Sequence, residues 1–265
     1  MVPVYIFTLA SLLFSKVPII ISERNAPQAT SLFRKVARRL LISRANNIVV
    51  QTESIKNYFP EKLKGRIRVI YNPISSVFNF ASALHAEKMN LFITVGRLQE
   101  QKNQKLLIDA FYDFSKEYPD YRLDIYGEGE LRDALQRQIE VLGLEKKVTL
   151  KGQCEHLDEV MPCAKAFVMS SDYEGMSNAM LEAMYVGLPV VSTVVSGANE
   201  FIRNDVNGYL VRLKDKEGLT AALKKIAKSP DSAFALGKAA SDIEKLISPE
   251  RIIAQWRTLI EQYRI

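Results

Sequence analysis

The chain has 265 residues, 48% of them hydrophobic and 25% charged, a composition typical of a globular protein with a sizeable core. Two cysteines and two histidines are too few for a disulfide framework, and their spacing fits no tetrahedral metal site. The net charge of +6 is uneven, because residues 1–85 hold twelve Lys and Arg against three acidic residues. This basic part predicts an acidic partner, such as a membrane surface, a nucleic acid or a phosphorylated lipid.

The first apolar run covers residues 2–22, where Lys16 and Pro18 separate two shorter segments. A membrane-spanning helix needs about 20 uninterrupted apolar residues. A signal peptide needs a basic start and a cleavage site of small residues, and neither is evident. We expect a buried helix over 4–15, a turn at Lys16 and Pro18, and a buried strand over 18–22. A membrane-inserted N-terminus is the alternative.

The next elements continue an α/β pattern. A helix is predicted over 31–44, with basic side chains on one side and apolar ones on the other. Strands are predicted over 47–51 and 66–72, with a shorter helix near 53–59 between them. Residues 73–90 then have the composition of an interdomain connection.

From residue 91 strand-like and helix-like segments alternate. The predicted strands are 91–96, 121–127, 148–150, 166–171, 188–193 and 208–213, and the predicted helices are 102–117, 130–142, 156–162, one from about 178 and one from Ser248. This alternation favours a parallel sheet covered on both faces. Such sheets bind ligands beyond the carboxyl ends of their strands, where we therefore look for chemistry.

The first candidate site segment is 96-GRLQEQKNQ-104, directly after a predicted strand. Gly96 permits a close turn, Arg97 leaves the strand end, and Lys102 begins the next predicted helix. Two fixed cations at this edge suit a diphosphate, whose charge grows as it leaves. An Arg and a Lys at this spacing are also common on solvated faces. Only their position beyond the end of a predicted strand indicates a binding role.

The second candidate segment is 174-EGMSNAMLEAMYVGLPVV-191. Glu174 follows a predicted strand, and Ser177 or Asn178 would cap the helix that follows, where free N–H groups can seat a phosphate. Glu182 lies one turn beyond Asn178 on the same face. A carboxylate can accept two hydrogen bonds from the vicinal hydroxyls of a ribose or hexose, although a helix-surface glutamate is the simpler alternative.

These segments together resemble a known family. The pattern E-G-x-S-N-x-x-L-E-A-M-x-x-G-x-P-V-V is similar to the signature of the group 1 retaining glycosyltransferases, which use nucleotide-sugar donors and have the GT-B architecture. V-G-R-L-x-x-Q-K-N at 95–103, Y-G-E-G at 126–129, L-x-G at 150–152 and N-D-V-N-G-Y-L-V at 204–211 follow in that family's order. The resemblance covers about residues 15–230.

The resemblance implies roles for individual residues. Arg97 and Lys102 would hold and stabilise the departing diphosphate, Glu174 would hold the donor sugar, and Glu182 the ribose hydroxyls. These three, Glu174, Arg97 and Lys102, are the candidate catalytic residues. The full set of candidate donor-binding residues is Gly96, Arg97, Lys102, Gly152, Cys154, Glu174, Gly175, Met176, Ser177, Asn178 and Glu182. The family needs no bound metal or other cofactor, since the nucleotide-sugar is a substrate.

The resemblance also implies an α/β fold of GT-B type, with a partial N-terminal and a complete C-terminal Rossmann-like domain. We expect a partial acceptor-side domain over 1–74, a linker over 75–90, a nucleotide-sugar domain over 91–245 and a C-terminal helix over 246–265 that packs back towards the N-terminal part. Met1 would then fall inside the acceptor-side domain, as in a fragment, a misassigned start or a degenerate gene.

The implied activity is transfer of a sugar from a UDP- or GDP-sugar to a lipid-linked or oligosaccharide acceptor, with retention, in capsule, O-antigen or similar polysaccharide biosynthesis. The enzyme would be cytoplasmic and peripheral on the inner face of the cytoplasmic membrane. Its contact with anionic lipid would use Arg34, Lys35, Arg38 and Arg39, and a solvated helix face is the alternative. No motif supports nucleic-acid binding.

Three cleft residues are predicted where the family often has a histidine, namely Glu23, Arg24 and Asn25. Two other functions stay open: a donor-binding half-enzyme without turnover, and a nucleotide-sugar epimerase. Tyr126–Gly129 also resembles a dinucleotide fingerprint, but Arg132 replaces its third glycine, so a tight strand-to-helix turn is favoured.

Overall fold

The computed structural model describes residues 16–23, 42, 44–78 and 86–263. These residues form two compact units. Unit 1 combines the described residues up to Asn72 with those from Glu250 onward, and unit 2 is Pro73–Pro249. The helix predicted over 4–15 and nearly all of the one predicted over 31–44 lie outside the described residues.

Unit 1 is built on a parallel three-stranded sheet with the order β1-β2-β3. Its elements are β1 (Ile20–Glu23), β2 (Asn47–Val50), α1 (Glu53–Asn57), α2 (Glu61–Lys64), β3 (Ile67–Val69) and the C-terminal helix α11 (Pro249–Glu261). Ile252 and Leu259 of α11 pack against Val49 and Ile70 in a buried apolar cluster. The C-terminal helix therefore belongs to the core of unit 1.

Unit 2 is built on a parallel six-stranded sheet with the order β6-β5-β4-β7-β8-β9. Its strands are β4 (Leu91–Val95), β5 (Arg122–Tyr126), β6 (Val148–Gly152), β7 (Ala166–Met169), β8 (Val190–Thr193) and β9 (Gly208–Val211). Its helices are α3 (Gln104–Ser115), α4 (Arg132–Val141), α5 (Leu157–Val160), α6 (Asn178–Tyr185), α7 (Ala198–Phe201), α8 (Lys216–Lys228), α9 (Pro230–Ala240) and α10 (Glu244–Ile247).

This strand order decides where a ligand can bind. The chain starts at the central strand β4, winds outward to β6, and returns to place β7 on the other side of β4. The point where the winding reverses opens a crevice beyond the carboxyl ends of the two strands, and doubly wound sheets bind their ligands there. In unit 2 that point lies between β4 and β7.

The core of unit 2 explains the apolar strands. Every residue of β7 and β8 is buried, as expected for strands covered on both faces. On one side Phe92 packs against Phe114 and Tyr121, with ring centroids 5.3 and 5.2 Å away. α3 packs against α8, and the Thr220 hydroxyl donates to the Ala110 carbonyl at 3.1 Å.

Several boundaries differ from the prediction. The helix predicted over 102–117 is a 3-10 turn at Glu100–Lys102 followed by α3, because Asn103 between them has left-handed backbone angles (φ 46°, ψ 46°). The strand predicted over 166–171 ends at Met169, so its two serines lie in the following loop. The strand predicted over 66–72 ends at Val69. Helices α2, α7, α8, α9 and α10 were not predicted.

Candidate functional site

Two loops meet at the reversal point of the sheet. We call residues 96–103, which follow β4, loop A, and residues 170–177, which follow β7, loop B. Both are at carboxyl ends of adjacent parallel strands, so they occupy the same edge. The two predicted motifs are therefore neighbours in space although about 70 residues separate them in the chain.

Lys102 and Glu174 form an ion pair between the loops. The Lys102 stem crosses Gly96, since a Cβ atom at Gly96 would lie 3.0 Å from Lys102 Cε. The side chains of Lys102 and Glu174 are only 18% and 10% exposed. The Ser171 hydroxyl also donates to Glu174 Oε1 at 3.2 Å, which fixes the carboxylate from a second side.

Loop B rests on the following strand and helix. The Thr193 hydroxyl at the end of β8 donates to the Ser171 carbonyl at 2.6 Å. A Cβ atom at Gly197 would lie 2.6 Å from the Gly175 carbonyl oxygen and 3.1 Å from Met176 Cα, so this glycine lets the two segments approach closely. Loop B is thus held in place by a hydrogen bond from β8 and by close packing against Gly197.

Arg97 is the exposed cation of loop A. Among the described residues its guanidinium has no carboxylate partner. Its backbone is held, because Gln104 Nε2 donates to the Arg97 carbonyl at 3.0 Å and the next residue, Leu98, is fully buried. A guanidinium on a fixed backbone at this edge suits an anionic ligand.

Helix α6 begins in loop B. The Ser177 hydroxyl accepts from the Met180 N–H at 3.3 Å, so Ser177 is the cap and Asn178 is the first helical residue. Met176 and Ser177 are buried, whereas Asn178 is exposed. The first N–H groups of the helix therefore point towards the crevice end of the sheet.

Glu182 is half-buried on α6, one turn beyond Asn178. Burial raises the pKa of its carboxyl above the ordinary value. Among the described residues it has no ion-pair or side-chain hydrogen-bond partner. A desolvated carboxylate without a protein partner suits a ligand that supplies hydroxyl donors.

The loop that starts at Gly152 lies beside the end of β5. Gly152 has a positive φ of 73°, and its carbonyl accepts from the Gly127 N–H at 2.7 Å. Cys154 is a half-buried free thiol. Burial, with smaller contributions from Asp124 and Cys154, raises the pKa of Tyr126 to about 12, so the phenol stays protonated at neutral pH.

Tyr126–Gly129 is a packing turn. A Cβ atom at Gly127 would overlap the Gly96 carbonyl oxygen, and one at Gly129 would overlap the Leu98 backbone. The Leu98 N–H donates to the Glu128 carbonyl at 3.0 Å. These glycines let the turn pack directly against the backbone of loop A, as the tight-turn interpretation predicts.

The remaining predicted residues lie in unit 1 or outside the described part of the chain. Glu23 ends β1 in unit 1. The residues outside the described part of the chain are Arg24, Asn25, Arg34, Lys35, Arg38 and Arg39. Within the described ranges, no group of three or more His, Cys, Asp or Glu side chains is placed to hold a metal ion. None of the helices described there is long and apolar enough to cross a bilayer.

The structure adds residues to which the sequence analysis assigned no role. Asn103, Ser170 and Asp172 link the two loops through hydrogen bonds, and Ser171 donates to Glu174 within loop B. A polar Ser-Ser-Asp run directly after an apolar strand is a signal that could have identified three of them. The left-handed backbone of Asn103 has a weaker signal, the tolerance of asparagine for positive φ.

Comparison with known proteins identifies the family. The model of the family described as "Glycosyl transferases group 1" matches residues 77–242, which is more than half of the chain. The protein therefore belongs to the group 1 glycosyl transferases, and the resemblance inferred from the motifs is confirmed.

Two of the curated relatives are bacterial glycosyltransferases whose names state what they act on. One, from Campylobacter jejuni, is an N-acetylgalactosamine-N,N'-diacetylbacillosaminyl-diphospho-undecaprenol 4-alpha-N-acetylgalactosaminyltransferase, 30% identical over 84% of this chain and 64% of its own length. Another, from Staphylococcus aureus, is a poly(ribitol-phosphate) alpha-N-acetylglucosaminyltransferase, 26% identical over 87% of this chain and 47% of its own length. The chain spans about two thirds or less of most of the relatives it matches first.

Solved structures establish the fold. A mutant of S. aureus TarM, in complex with Fondaparinux, alpha-GlcNAc-glycerol and UDP, has a TM-score of 0.77 at 25% identity, over 90% of this chain and 50% of that one. Anabaena Alr3699/HepE, in complex with UDP and glucose, has a TM-score of 0.86 at 20% identity, over 98% and 76%. The predicted α/β fold of GT-B type with parallel sheets is confirmed.

Proposed function

We propose that this protein transfers a sugar from a nucleotide-sugar to a lipid-linked sugar acceptor, with retention, during assembly of a surface polysaccharide. The donor is a UDP-linked hexose or N-acetylhexosamine, with a GDP-sugar as the alternative base. Three kinds of support converge: family membership, the glycan-building relatives, and solved neighbours that were obtained with UDP.

One observation carries the proposal. At the reversal point of the sheet, loops A and B bring an ion-paired Lys102 and Glu174 beside an Arg97 whose guanidinium has no carboxylate partner among the described residues. A site with two cations and a fixed carboxylate offers complementary groups to both ends of a sugar diphosphate: the cations to the phosphates, the carboxylate to the hydroxyls.

The same groups assign the chemistry. The bond from the sugar C1 to the diphosphate oxygen breaks, and Arg97 and Lys102 stabilise the negative charge that grows on the leaving diphosphate. The acceptor hydroxyl oxygen forms the new bond to C1 on the same face, and its proton passes to a donor phosphate oxygen. Glu174 holds the sugar hydroxyls in place, and Glu182 holds the ribose.

The remaining donor contacts come from the segments around the two loops. Gly175, Met176, Ser177 and Asn178 contact the donor from loop B and the start of α6, and Gly96 lets the lysine pass. Gly152 and Cys154 lie next to the base.

The proposal also assigns a role to each domain. Residues 91–245 form the donor domain, and residues 1–74 contribute to the acceptor side, with Glu23, Arg24 and Asn25 at the acceptor cleft. Arg34, Lys35, Arg38 and Arg39 draw the protein to anionic lipid on the cytoplasmic face of the membrane, where lipid-linked acceptors are found.

Calorimetric titration with UDP and with GDP tests the donor site. We expect binding of UDP to the wild type and a loss of about tenfold to a hundredfold in Arg97→Ala, because a charged hydrogen bond to phosphate is removed. Arg137→Ala, on the exposed face of α4, is the matched control and should bind as the wild type does. Absence of any nucleotide binding by the wild type would contradict the proposal.

Transfer is tested by incubating the protein with labelled UDP-GlcNAc, UDP-GalNAc, UDP-glucose and GDP-mannose in the presence of membrane extract. A labelled lipid-linked product supports the transferase. UDP binding without product from any donor would instead support the donor-binding half-enzyme.

A further inference from the structure

Asp172 occupies the centre of the contacts between the two loops. Its Oδ1 accepts from Asn103 Nδ2 at 3.0 Å, and its backbone N–H donates to the Gln101 carbonyl at 2.9 Å. We infer that Asp172 is a positioning residue for the donor site, which acts through Asn103 to hold Lys102 where it meets Glu174. This inference rests on the proposed function, because it concerns the site of the donor.

Asn103 is the residue through which Asp172 acts. Its backbone is left-handed, a conformation that asparagine tolerates and that other side chains rarely adopt. Both ends of its amide are engaged, because Oδ1 accepts from the Leu106 N–H at 3.3 Å while Nδ2 donates to Asp172. The amide therefore joins the start of α3 to loop B. It also holds the left-handed turn of the backbone directly after Lys102.

The backbone around Lys102 is fixed from the same side. The Ser170 hydroxyl lies 3.0 Å from the Lys102 carbonyl and 2.9 Å from the Asn103 carbonyl. A lysine side chain has four rotatable bonds, so its ammonium reaches a defined place only when the backbone that carries it is fixed. Asp172 and Ser170 supply that restraint from loop B.

This role differs from direct ligand contact in a way that can be measured. In Asp172→Asn an amide oxygen remains to accept from Asn103 Nδ2, whereas Asp172→Ala removes the acceptor. A positioning role therefore predicts rescue by asparagine. A role of the carboxylate charge in holding a ligand predicts that both variants fail equally.

The first experiment measures UDP affinity by calorimetry in Asp172→Ala, Asp172→Asn, Asn103→Ala and the double alanine variant. We expect about a tenfold loss in each single alanine variant, because one hydrogen bond to a charged group is removed. The double variant should lose no more than the weaker-binding single variant, since both changes remove the same bond. Asp133→Ala, on the exposed face of α4, is the control.

The second experiment needs no donor. Acetylation of individual lysines by a water-soluble ester, followed by mass spectrometry, should show slow modification of Lys102 in the wild type, because its ammonium is paired and largely buried. Asp172→Ala should raise this rate several-fold and Asp172→Asn should leave it unchanged, with the exposed Lys146 as the internal reference.

The two experiments separate the possible failures. If the wild type binds no UDP but Lys102 loses its protection in Asp172→Ala, the proposed function fails and the positioning role stands. If Lys102 stays protected in Asp172→Ala, or if asparagine fails as alanine does, the positioning role is overturned whatever the affinity for UDP.

Discussion

Glu182 is a side chain whose proposed binding role comes at a cost to stability. Its carboxylate is desolvated on α6, and within the described residues no protein group compensates it. A carboxyl with a raised pKa in the folded state holds more protons folded than unfolded between the two pKa values. The free energy of unfolding therefore falls as the pH rises from the ordinary value of 4.5 through the folded pKa.

Glu182→Gln should remove this decrease of the unfolding free energy with rising pH. We expect the midpoint of thermal unfolding at pH 7 to stay equal or rise, while UDP affinity decreases about tenfold to a hundredfold as the ribose loses a charged acceptor. Thermal denaturation and calorimetry measure the two effects. Glu140→Gln, where the exposed side chain accepts from Gln136 at 3.1 Å, should change neither. A less stable variant with unchanged UDP affinity would show that Glu182 is a structural residue.

Gly96 and Gly127 predict different outcomes for the same substitution. In Gly96→Ala the added methyl meets the flexible Lys102 stem at 3.0–3.4 Å, so we expect a folded protein with weaker donor binding. In Gly127→Ala the methyl overlaps the Gly96 carbonyl on a backbone with φ +131°, so we expect a loss of about 2 kcal/mol or more in unfolding free energy. Urea denaturation with UDP titration distinguishes them. Normal UDP binding by Gly96→Ala would contradict the close passage of the Lys102 side chain over Gly96.

At the scale of the element, helix α6 combines a cap with a proposed donor-binding surface. Ser177 closes the first turn through the Met180 N–H and also belongs to the candidate donor contacts. A matched cap exists at α9, where the Ser229 hydroxyl accepts from the Ser232 N–H at 3.3 Å. Comparing Ser177 with Ser229 therefore separates the effect of a cap on stability from its effect on UDP binding.

Ser177→Ala should lower the unfolding free energy by about 1 kcal/mol and also weaken UDP binding. Ser229→Ala should have a similar effect on stability and none on UDP affinity. Chemical denaturation and calorimetry on both variants check this. Equal UDP affinities in the two variants would restrict Ser177 to capping.

The elements also show how far the sequence could be interpreted. Alternating apolar strands and amphipathic helices were sufficient to predict the parallel sheet, and the position of each motif after a strand placed Arg97, Lys102 and Glu174 at one edge. The period of a helix, however, does not reveal a left-handed residue inside it, so the break at Asn103 was missed. Contacts such as Asn103 with Asp172 depend on which strands become neighbours, and local patterns do not contain that information.

At the scale of the whole molecule, the two units should respond differently to donor. Loops A and B, the start of α6 and Glu182 all lie within Pro73–Pro249. A ligand at a hundred times its dissociation constant stabilises the state it binds by about 2.7 kcal/mol. The protection that UDP gives should therefore appear first in unit 2.

Hydrogen exchange followed by mass spectrometry tests this expectation. Saturating UDP should slow exchange in residues 96–103 and 170–182, with little change in β1 to β3. Arg97→Ala at the same UDP concentration should show a reduced effect. Slowing confined to unit 1 would place the nucleotide elsewhere.

The order of strands in unit 2 has a consequence for the folding of the chain during its synthesis on the ribosome. Lys102 and Glu174 are separated by 72 positions, and β5 and β6 are made between them. As the chain emerges from the ribosome, the lysine is exposed to solvent well before its carboxylate exists, and the two meet only when β7 joins β4. The ion pair thus forms only after β7 has paired with β4, and a nascent chain brings the two loops of the proposed donor site together at that step.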